Sequence, residues 1–254
     1  MKMKDLRVVV TGAASGLGKC FVEQLLAEGA QVSAWDLNRV GLMNLQAVHG
    51  DENLHILEVD VSKEDQVQNA MGDAWDRFGG LNALINNAGI FRDSLLVKRD
   101  KETGEIMKMS LSQWQNVLDV DLTGPFLCTR ELSSRLVESG GDEEAVIVHI
   151  SSISREGNMG QGNYSAAKAA LVADTVTWAR ELARYKIRVA SIAPGFVETP
   201  ILEGMRPEMI DKMLRQVPMR RLGKPEEIYA GLRFIFECDY FTGRCLDIDG
   251  GLRL

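Results

Sequence analysis

The chain has 254 residues, of which 26% are charged and 45% hydrophobic, as in ordinary globular proteins. Its 29 basic and 36 acidic residues give a net charge of -7, without a dense basic run that would indicate a nucleic-acid partner. No apolar stretch approaches the ~18 residues of a membrane helix, and the N-terminus lacks the apolar core of a signal peptide. We expect a soluble cytoplasmic protein with no nucleic-acid or membrane partner.

The cysteines and histidines show no pattern of a structural framework. The four cysteines lack C-x-x-C spacing and lie in or beside apolar segments, so we expect reduced core residues. The three histidines are scattered without the spacing of zinc ligands. The sequence therefore predicts no metal site.

Short apolar runs alternate with amphipathic helical patterns along the whole chain. The predicted elements, in chain order, are strand 6–10, helix 16–29, strand 31–36, helix 37–48, strand 54–59, helix 64–78, strand 81–85, helix 112–138, strand 146–151, helix 164–185, strand 188–192, helix 225–237 and strand 245–248. This alternation predicts an α/β fold of the Rossmann type: a single domain over residues 1–254, with a doubly wound parallel sheet of about seven strands and helices on both faces.

Two segments interrupt the alternation, at about residues 91–110 and 200–220. Both follow predicted strands, where ligands bind in open α/β sheets, so we expect both to contact substrate. Thr103-Gly104 in the first is typical of a hairpin turn. The second has methionines near helical spacing, which indicate either a lid over an apolar ligand or plain packing: Met205, Met209, Met213 and Met219.

Three glycines, Gly12, Gly16 and Gly18, lie between the first strand and the first helix. Glycine lets a backbone turn tightly and approach a pyrophosphate, whose charge favours a helix N-terminus. The spacing G-x-x-x-G-x-G differs from both the G-x-G-x-x-G fingerprint and the P-loop. Asp36 ends the second predicted strand, where a carboxylate can bind a ribose and repel a 2′-phosphate. This favours NAD over NADP, with nearby Arg39 leaving NADP open and helix capping as the other reading of Asp36.

Tyr164 and Lys168 are four residues apart, so a helix places both side chains on one face. An ammonium beside a phenol stabilises the phenolate and makes the phenol useful as an acid or base. The pair is one of six motifs that together resemble the short-chain dehydrogenase/reductase (SDR) family over essentially the whole chain. The motifs are Thr11–Gly18, Asp60-Val61, Asn86–Gly89, Ser151 with Tyr164 and Lys168, Pro194-Gly195 with Thr199, and Asp249–Gly251.

The resemblance implies an NAD-dependent oxidoreductase that transfers a hydride between nicotinamide and a secondary alcohol or ketone. It implies that Tyr164 exchanges a proton with the substrate oxygen and that Lys168 favours the phenolate and holds the ribose hydroxyls. Ser151, thirteen residues before Tyr164, is expected to hydrogen-bond the reacting carbonyl, with Ser152 and Ser154 as alternatives. The cofactor contacts are expected at Gly12, Ser15, Gly16, Leu17, Gly18, Asp36, Asp60, Val61, Asn87, Ala88, Gly89, Tyr164, Lys168, Pro194, Gly195, Val197 and Thr199.

Asp121 departs from the family pattern, which usually has asparagine there as the fourth catalytic residue. The family's asparagine uses its backbone carbonyl to hold a water in a proton relay to the lysine, and that role survives the change. A carboxylate, however, donates no hydrogen bond unless it is protonated. We expect the relay to persist with a shifted pH profile.

The resemblance further implies a homotetramer, with a dimer as the alternative, through contacts of the two long helices. The substrate is a small alcohol or carbonyl compound. A 3-hydroxyacyl or 3-oxoacyl thioester, a polyol and a steroid all remain open, and Lys98, Arg99 and Lys101 could meet an acidic carrier. Two other functions also remain open: a catalytically weak NAD-binding regulator, and an epimerase or dehydratase of the same fold.

Overall fold

The computed structural model describes residues 1–140, 143–199 and 207–253. Its strands are β1 (Arg7–Thr11), β2 (Gln31–Asp36), β3 (Leu54–Glu58), β4 (Ala83–Asn86), β5 (Val97–Arg99), β6 (Ile106–Lys108), β7 (Ala145–Ile150), β8 (Ile187–Pro194) and β9 (Cys245–Ile248). Its α-helices are α1 (Gly16–Ala27), α2 (Arg39–His49), α3 (Glu64–Phe78), α4 (Leu111–Leu118), α5 (Gly124–Glu138), α6 (Gly162–Leu182), α7 (Pro207–Leu214) and α8 (Pro225–Glu237).

Seven strands form a parallel sheet in the order β3-β2-β1-β4-β7-β8-β9. Successive side chains of a strand point to opposite faces, and β1 shows the result. Val8 and Val10 pack in one apolar cluster with Phe21 of α1, whereas Val9 packs in a second cluster with Met71 of α3. Helices therefore cover both faces, which confirms the predicted doubly wound fold.

The segment after β4 contains the predicted hairpin. Strands β5 and β6 pair antiparallel around Gly104, whose φ of 75° is the left-handed conformation that glycine favours. In the second segment, residues 200–206, including Met205, lie outside the described residues. Met209 on α7 and Met219 after it are exposed, and Met213 is half-buried.

The helix predicted over residues 112–138 is interrupted in the structure. Helix α4 ends at Leu118, a π-helical turn spans Asp119–Thr123, and α5 then begins at Gly124. Pro125 has no N–H to donate to the Asp121 carbonyl, the bond that a continuous α-helix would need there. The Gly124 N–H donates to the carbonyl of Asp119, five residues earlier, whereas an α-helical N–H donates to the carbonyl four residues earlier.

None of the helices in the described ranges is both long enough and apolar enough to cross a membrane.

Candidate active site

The predicted site residues lie at the carboxyl edge of the parallel sheet. The glycine turn follows β1, Asn87–Gly89 follow β4, and two serines follow β7. Strand β8 ends at Pro194 on the same edge. Ligands of open α/β sheets bind at this edge, where the strand order reverses.

The glycine turn is tight enough to exclude any side chain from two positions. A Cβ at Gly18 would lie 2.0 Å from the carbonyl oxygen of Gly12, and one at Gly12 would lie 2.8 Å from the Cα of Ala88. The Asn87 amide holds the turn by donating to the carbonyls of Thr11 (3.0 Å) and Gly12 (3.1 Å). Helix α1 then begins after Ser15, with Leu17 in its first turn. This backbone cradle fits a pyrophosphate at the start of α1.

Asp36 joins the end of β2 to the glycine turn. Its Oδ2 accepts from the Ala14 N–H at 2.9 Å, and its Oδ1 accepts from the Asn38 N–H at 2.8 Å. The cap of α2 is Asn38 itself, whose side chain accepts from the Gly41 N–H. Asp36 thus lies beside the turn, and capping of α2 does not explain it.

The remaining predicted cofactor contacts surround the same cleft. Asp60 accepts from the backbone N–H and hydroxyl of Ser62, and Val61 packs against Gly124. Thr199 approaches the glycine turn, because a Cβ at Gly16 would lie 3.8 Å from its methyl group. At the end of β8, a Cβ at Gly195 would lie 2.6 Å from the Cα of Asp249, and Val197 bridges to Gly223 in the loop beyond.

Tyr164 and Lys168 lie one turn apart on α6, as their spacing predicts. The Lys168 Nζ is 5.4 Å from the centroid of the Tyr164 ring and donates to the carbonyl of Ile150 at 3.0 Å. Tyr164 is 8% exposed and Lys168 is 3% exposed. Burial raises the pKa of the Tyr164 phenol, and the Lys168 ammonium opposes that rise. Burial acts to lower the pKa of Lys168, but Asp121 and Tyr164 outweigh it, and that pKa is raised.

The structure places the hydroxyls of Ser151 and Ser152 in different surroundings. Ser151 still pairs with the sheet, since its N–H donates to the carbonyl of Ile192, and its buried hydroxyl donates to the carbonyl of Lys168 at 2.8 Å. Ser152 is the first residue to leave the sheet. Its side chain hydrogen-bonds the Tyr164 phenol, and this bond acts to lower the pKa of the phenol. The hydroxyl of Ser154 is occupied by Gln161. Ser152 therefore contacts the Tyr164 phenol, whereas the Ser151 hydroxyl contacts the backbone.

Asp121 contributes its side chain to the site. The carboxyl is fully buried in the π-helical turn, with Oδ1 accepting from the Ile90 N–H at 2.8 Å. Its Oδ2 lies 3.3 Å from the Lys168 Nζ. Burial raises the pKa of Asp121, while Lys168 opposes the rise. The ion pair of Lys168 and Asp121 therefore lies beside Tyr164.

Phe91 is the first residue of the segment expected to contact substrate, and its ring packs against Tyr164. The two ring centroids are 4.5 Å apart. The Phe91 ring is itself partly exposed.

A glycine turn and a buried tyrosine–lysine pair on one edge of a parallel sheet define a class of protein, the dinucleotide-dependent oxidoreductases. The family model described as enoyl-(acyl carrier protein) reductase matches residues 12–253. Similar curated proteins include the 3-oxoacyl-[acyl-carrier-protein] reductase FabG of Thermotoga maritima, 35% identical over 99% of both chains. The (3R)-3-hydroxyacyl-CoA dehydrogenase of Canis lupus familiaris is 33% identical over 99% of this chain and 98% of its own.

A solved structure titled short-chain dehydrogenase/reductase SDR:glucose/ribitol dehydrogenase, from Brucella melitensis, matches all of both chains with a TM-score of 0.88 and 30% identity. The chain belongs to the short-chain dehydrogenase/reductase family, whose members use nicotinamide cofactors. It is an oxidoreductase acting on CH–OH or keto groups.

Proposed function

We propose that this protein transfers a hydride between NAD and a 3-hydroxyacyl or 3-oxoacyl compound, with Tyr164 as its acid and base. The observation that carries this proposal is the buried Tyr164 phenol, which has Lys168 on its own helix face and Ser152 beside it. Those neighbours supply a positive charge and a hydroxyl donor to the phenol. Such an arrangement serves proton exchange with a substrate oxygen.

The groups around the cleft match the parts of a dinucleotide cofactor. The glycine turn would hold the pyrophosphate, Asp36 the adenosine ribose, and Asp60 the adenine. Thr199, beside the glycine turn, would contact the nicotinamide carboxamide. When bound, the nicotinamide supplies or accepts the hydride at the substrate carbon.

The protein's own residues handle the proton. In reduction, the O–H bond of Tyr164 breaks and its proton passes to the substrate oxygen, which Ser152 polarises by donating a hydrogen bond. Lys168 offsets the negative charge left on the phenolate. In oxidation the same steps run backwards, and the phenolate accepts the proton of the alcohol.

The acyl substrate class is supported by the names of the similar reductases and dehydrogenases and by the surface beside the site. Leu95, Leu96 and Val97 are exposed apolar side chains following Phe91. Lys98 and Arg99, exposed on β5, place positive charge next to them. An apolar chain attached to an anionic carrier meets both requirements.

The test is a nicotinamide absorbance assay with NAD and NADP over 3-hydroxyacyl and 3-oxoacyl thioesters, polyols and hydroxysteroids. We expect the thioesters to give the highest kcat/KM. A polyol or steroid that outperforms every thioester would refute the substrate class while leaving the hydride chemistry intact.

Asp36 sets the expected cofactor preference. Asp36→Asn keeps a hydrogen-bond acceptor for the turn but removes the charge that repels a 2′-phosphate. The ratio of kcat/KM for NAD to that for NADP should fall at least about tenfold, equivalent to ~1.4 kcal/mol. Asp76→Asn, an exposed carboxylate on α3, is the matched control and should leave the ratio unchanged. A wild-type preference for NADP would contradict the proposed role of Asp36.

Removing the hydroxyls of Ser151 and Ser152 separately tests the choice between them. Ser152→Ala should lower kcat by about 10²-fold, because one oxyanion donor is lost. Ser151→Ala should chiefly lower the free energy of unfolding, by about 1 kcal/mol, because its hydroxyl bonds only the backbone. Steady-state kinetics and chemical denaturation of both variants decide the matter. If Ser151→Ala loses the larger share of kcat, the assignment reverses.

We further propose a cytoplasmic homotetramer, with a dimer as the alternative, in which α5 and α6 meet a second copy of the chain. Phe126 of α5 is exposed and lies 6.5 Å, ring to ring, from the half-buried Trp178 of α6. The aromatic pair links the two helices beside the exposed Phe126 ring, which supports this contact.

A further inference from the structure

The buried carboxyl of Asp121 is aimed at Lys168 by its backbone contact. Because Oδ1 is fixed by the Ile90 N–H, Oδ2 is left to face the ammonium at 3.3 Å. Gly89 lies against both groups, and a Cβ there would be 2.8 Å from Oδ2 and 3.4 Å from Nζ. A direct, water-excluded ion pair results, in which the carboxylate has no other cation within the described residues.

The charges around Tyr164 come from three parts of the chain. Lys168 faces it from α6, Asp121 from the π-helical turn, and Asp93 from the segment after β4. Lys168 in turn faces Asp121, Tyr164 and His149 of β7. Burial, and then the charge of Lys168, lower the pKa of His149 to about 3, so this histidine adds no charge at neutral pH. Around Tyr164, the positive charge of Lys168 is thus opposed by the adjacent carboxylate of Asp121 and, at greater range, by that of Asp93.

An asparagine at position 121 would leave the charge of Lys168 uncompensated. The ammonium would then act on the phenol alone and favour the phenolate. With aspartate, the pair is neutral as a whole, and its effect on the phenol is reduced. The aspartate also keeps Lys168 protonated in its buried setting, since the carboxylate compensates for the hydration that the ammonium loses.

We propose that Asp121 neutralises Lys168 and thereby holds Tyr164 as a protonated phenol, so that at neutral pH the site favours proton delivery to a carbonyl oxygen over proton removal from an alcohol. This inference rests on the acid–base role of Tyr164 proposed above. Asp121 acts through Lys168 and is a positioning residue. Alcohol oxidation needs the phenolate, so in the wild-type protein it requires alkaline pH.

The test is a titration of Tyr164 in the cofactor-free protein, followed by tyrosinate absorbance. The chain has four tyrosines, so the same titration of Tyr164→Phe is subtracted in each background. In Asp121→Asn, which keeps an acceptor for the Ile90 N–H, the Tyr164 midpoint should fall by about one pH unit or more. Asp119→Asn is the matched control, since it removes an equal charge from the same turn, where the Asp119 carboxylate accepts a hydrogen bond from the Gln115 side chain. It should leave the midpoint unchanged.

The pH profile of turnover gives a second readout. In Asp121→Asn, the alkaline rise of alcohol oxidation should move down by the same interval, so kcat for oxidation on that rising limb should increase by about tenfold at a fixed pH. An unchanged midpoint, or an equal shift in Asp119→Asn, overturns the proposal.

Should Asp121→Asn fail to fold, Asp121→Ser removes the same charge and keeps a hydroxyl acceptor for Ile90, and the same shift is expected. Because the titration uses neither cofactor nor substrate, it decides the role of Asp121 even if the proposed substrate class is wrong. Conversely, if the enzyme is active but its Tyr164 midpoint does not change on substitution of Asp121, the proposed function stands and this inference is wrong.

Discussion

Tyr164→Phe should reduce kcat by about 10²–10⁴-fold, because the substrate oxygen loses its proton donor. The substitution keeps the ring that packs against Phe91 and removes only the hydroxyl, so the fold should persist. Binding of NAD, followed by fluorescence, should change little, since Lys168 and the glycine turn remain. Steady-state kinetics beside a binding titration separate these effects.

The matched control for this substitution is Tyr240→Phe. Tyr240 is 100% exposed and lies outside the cleft, so removing its hydroxyl should leave kcat unchanged. Retention of more than about a tenth of the wild-type kcat by Tyr164→Phe would argue against general acid catalysis by this residue.

Gly18→Ala should damage both stability and cofactor binding. The new methyl group would lie 2.0 Å from the Gly12 carbonyl oxygen and 2.6 Å from the Asn87 amide nitrogen, so the turn must move. Such overpacking lowers the free energy of unfolding by about 1–3 kcal/mol. Because the displaced backbone is the proposed pyrophosphate site, NAD affinity should fall at least about tenfold.

Gly162→Ala provides the control for Gly18→Ala. Gly162 begins α6 at an exposed position, and a Cβ there meets nothing within 4 Å. Alanine favours a helix over glycine, so stability should stay constant or rise slightly. Chemical denaturation and NAD titration of both variants make the comparison. Normal NAD affinity in Gly18→Ala would exclude the turn as the pyrophosphate site.

The sequence predicted the features that depend on local periodicity. Alternation of apolar strands and amphipathic helices gave the sheet and its two covered faces, and the four-residue step gave the shared face of Tyr164 and Lys168. Gly18 was expected in a tight turn, and the structure shows a carbonyl where its side chain would be. Each of these follows from chain geometry within a few residues.

The features that escaped prediction depend on contacts between distant segments. Ser151 and Ser152 are neighbours in sequence, and only the pairing of Ser151 with Ile192 shows which hydroxyl leaves the sheet. The hydrogen bond from the Ile90 N–H, which fixes the Asp121 carboxyl beside Lys168, comes from the loop after β4. No periodic pattern encodes such an arrangement, because the partners lie tens of residues apart.

The π-helical turn at Asp119–Thr123 sets the rotational phase between the two helices that it joins. Its bond spans one residue more than an α-helical turn, so α5 is rotated by about 100° relative to a straight continuation of α4. Helix α4 accordingly directs Val117 toward Tyr164, while α5 directs Leu127 and Leu132 into the cluster beneath the sheet. One continuous stretch of chain thus packs against Tyr164 at one end and against the sheet at the other.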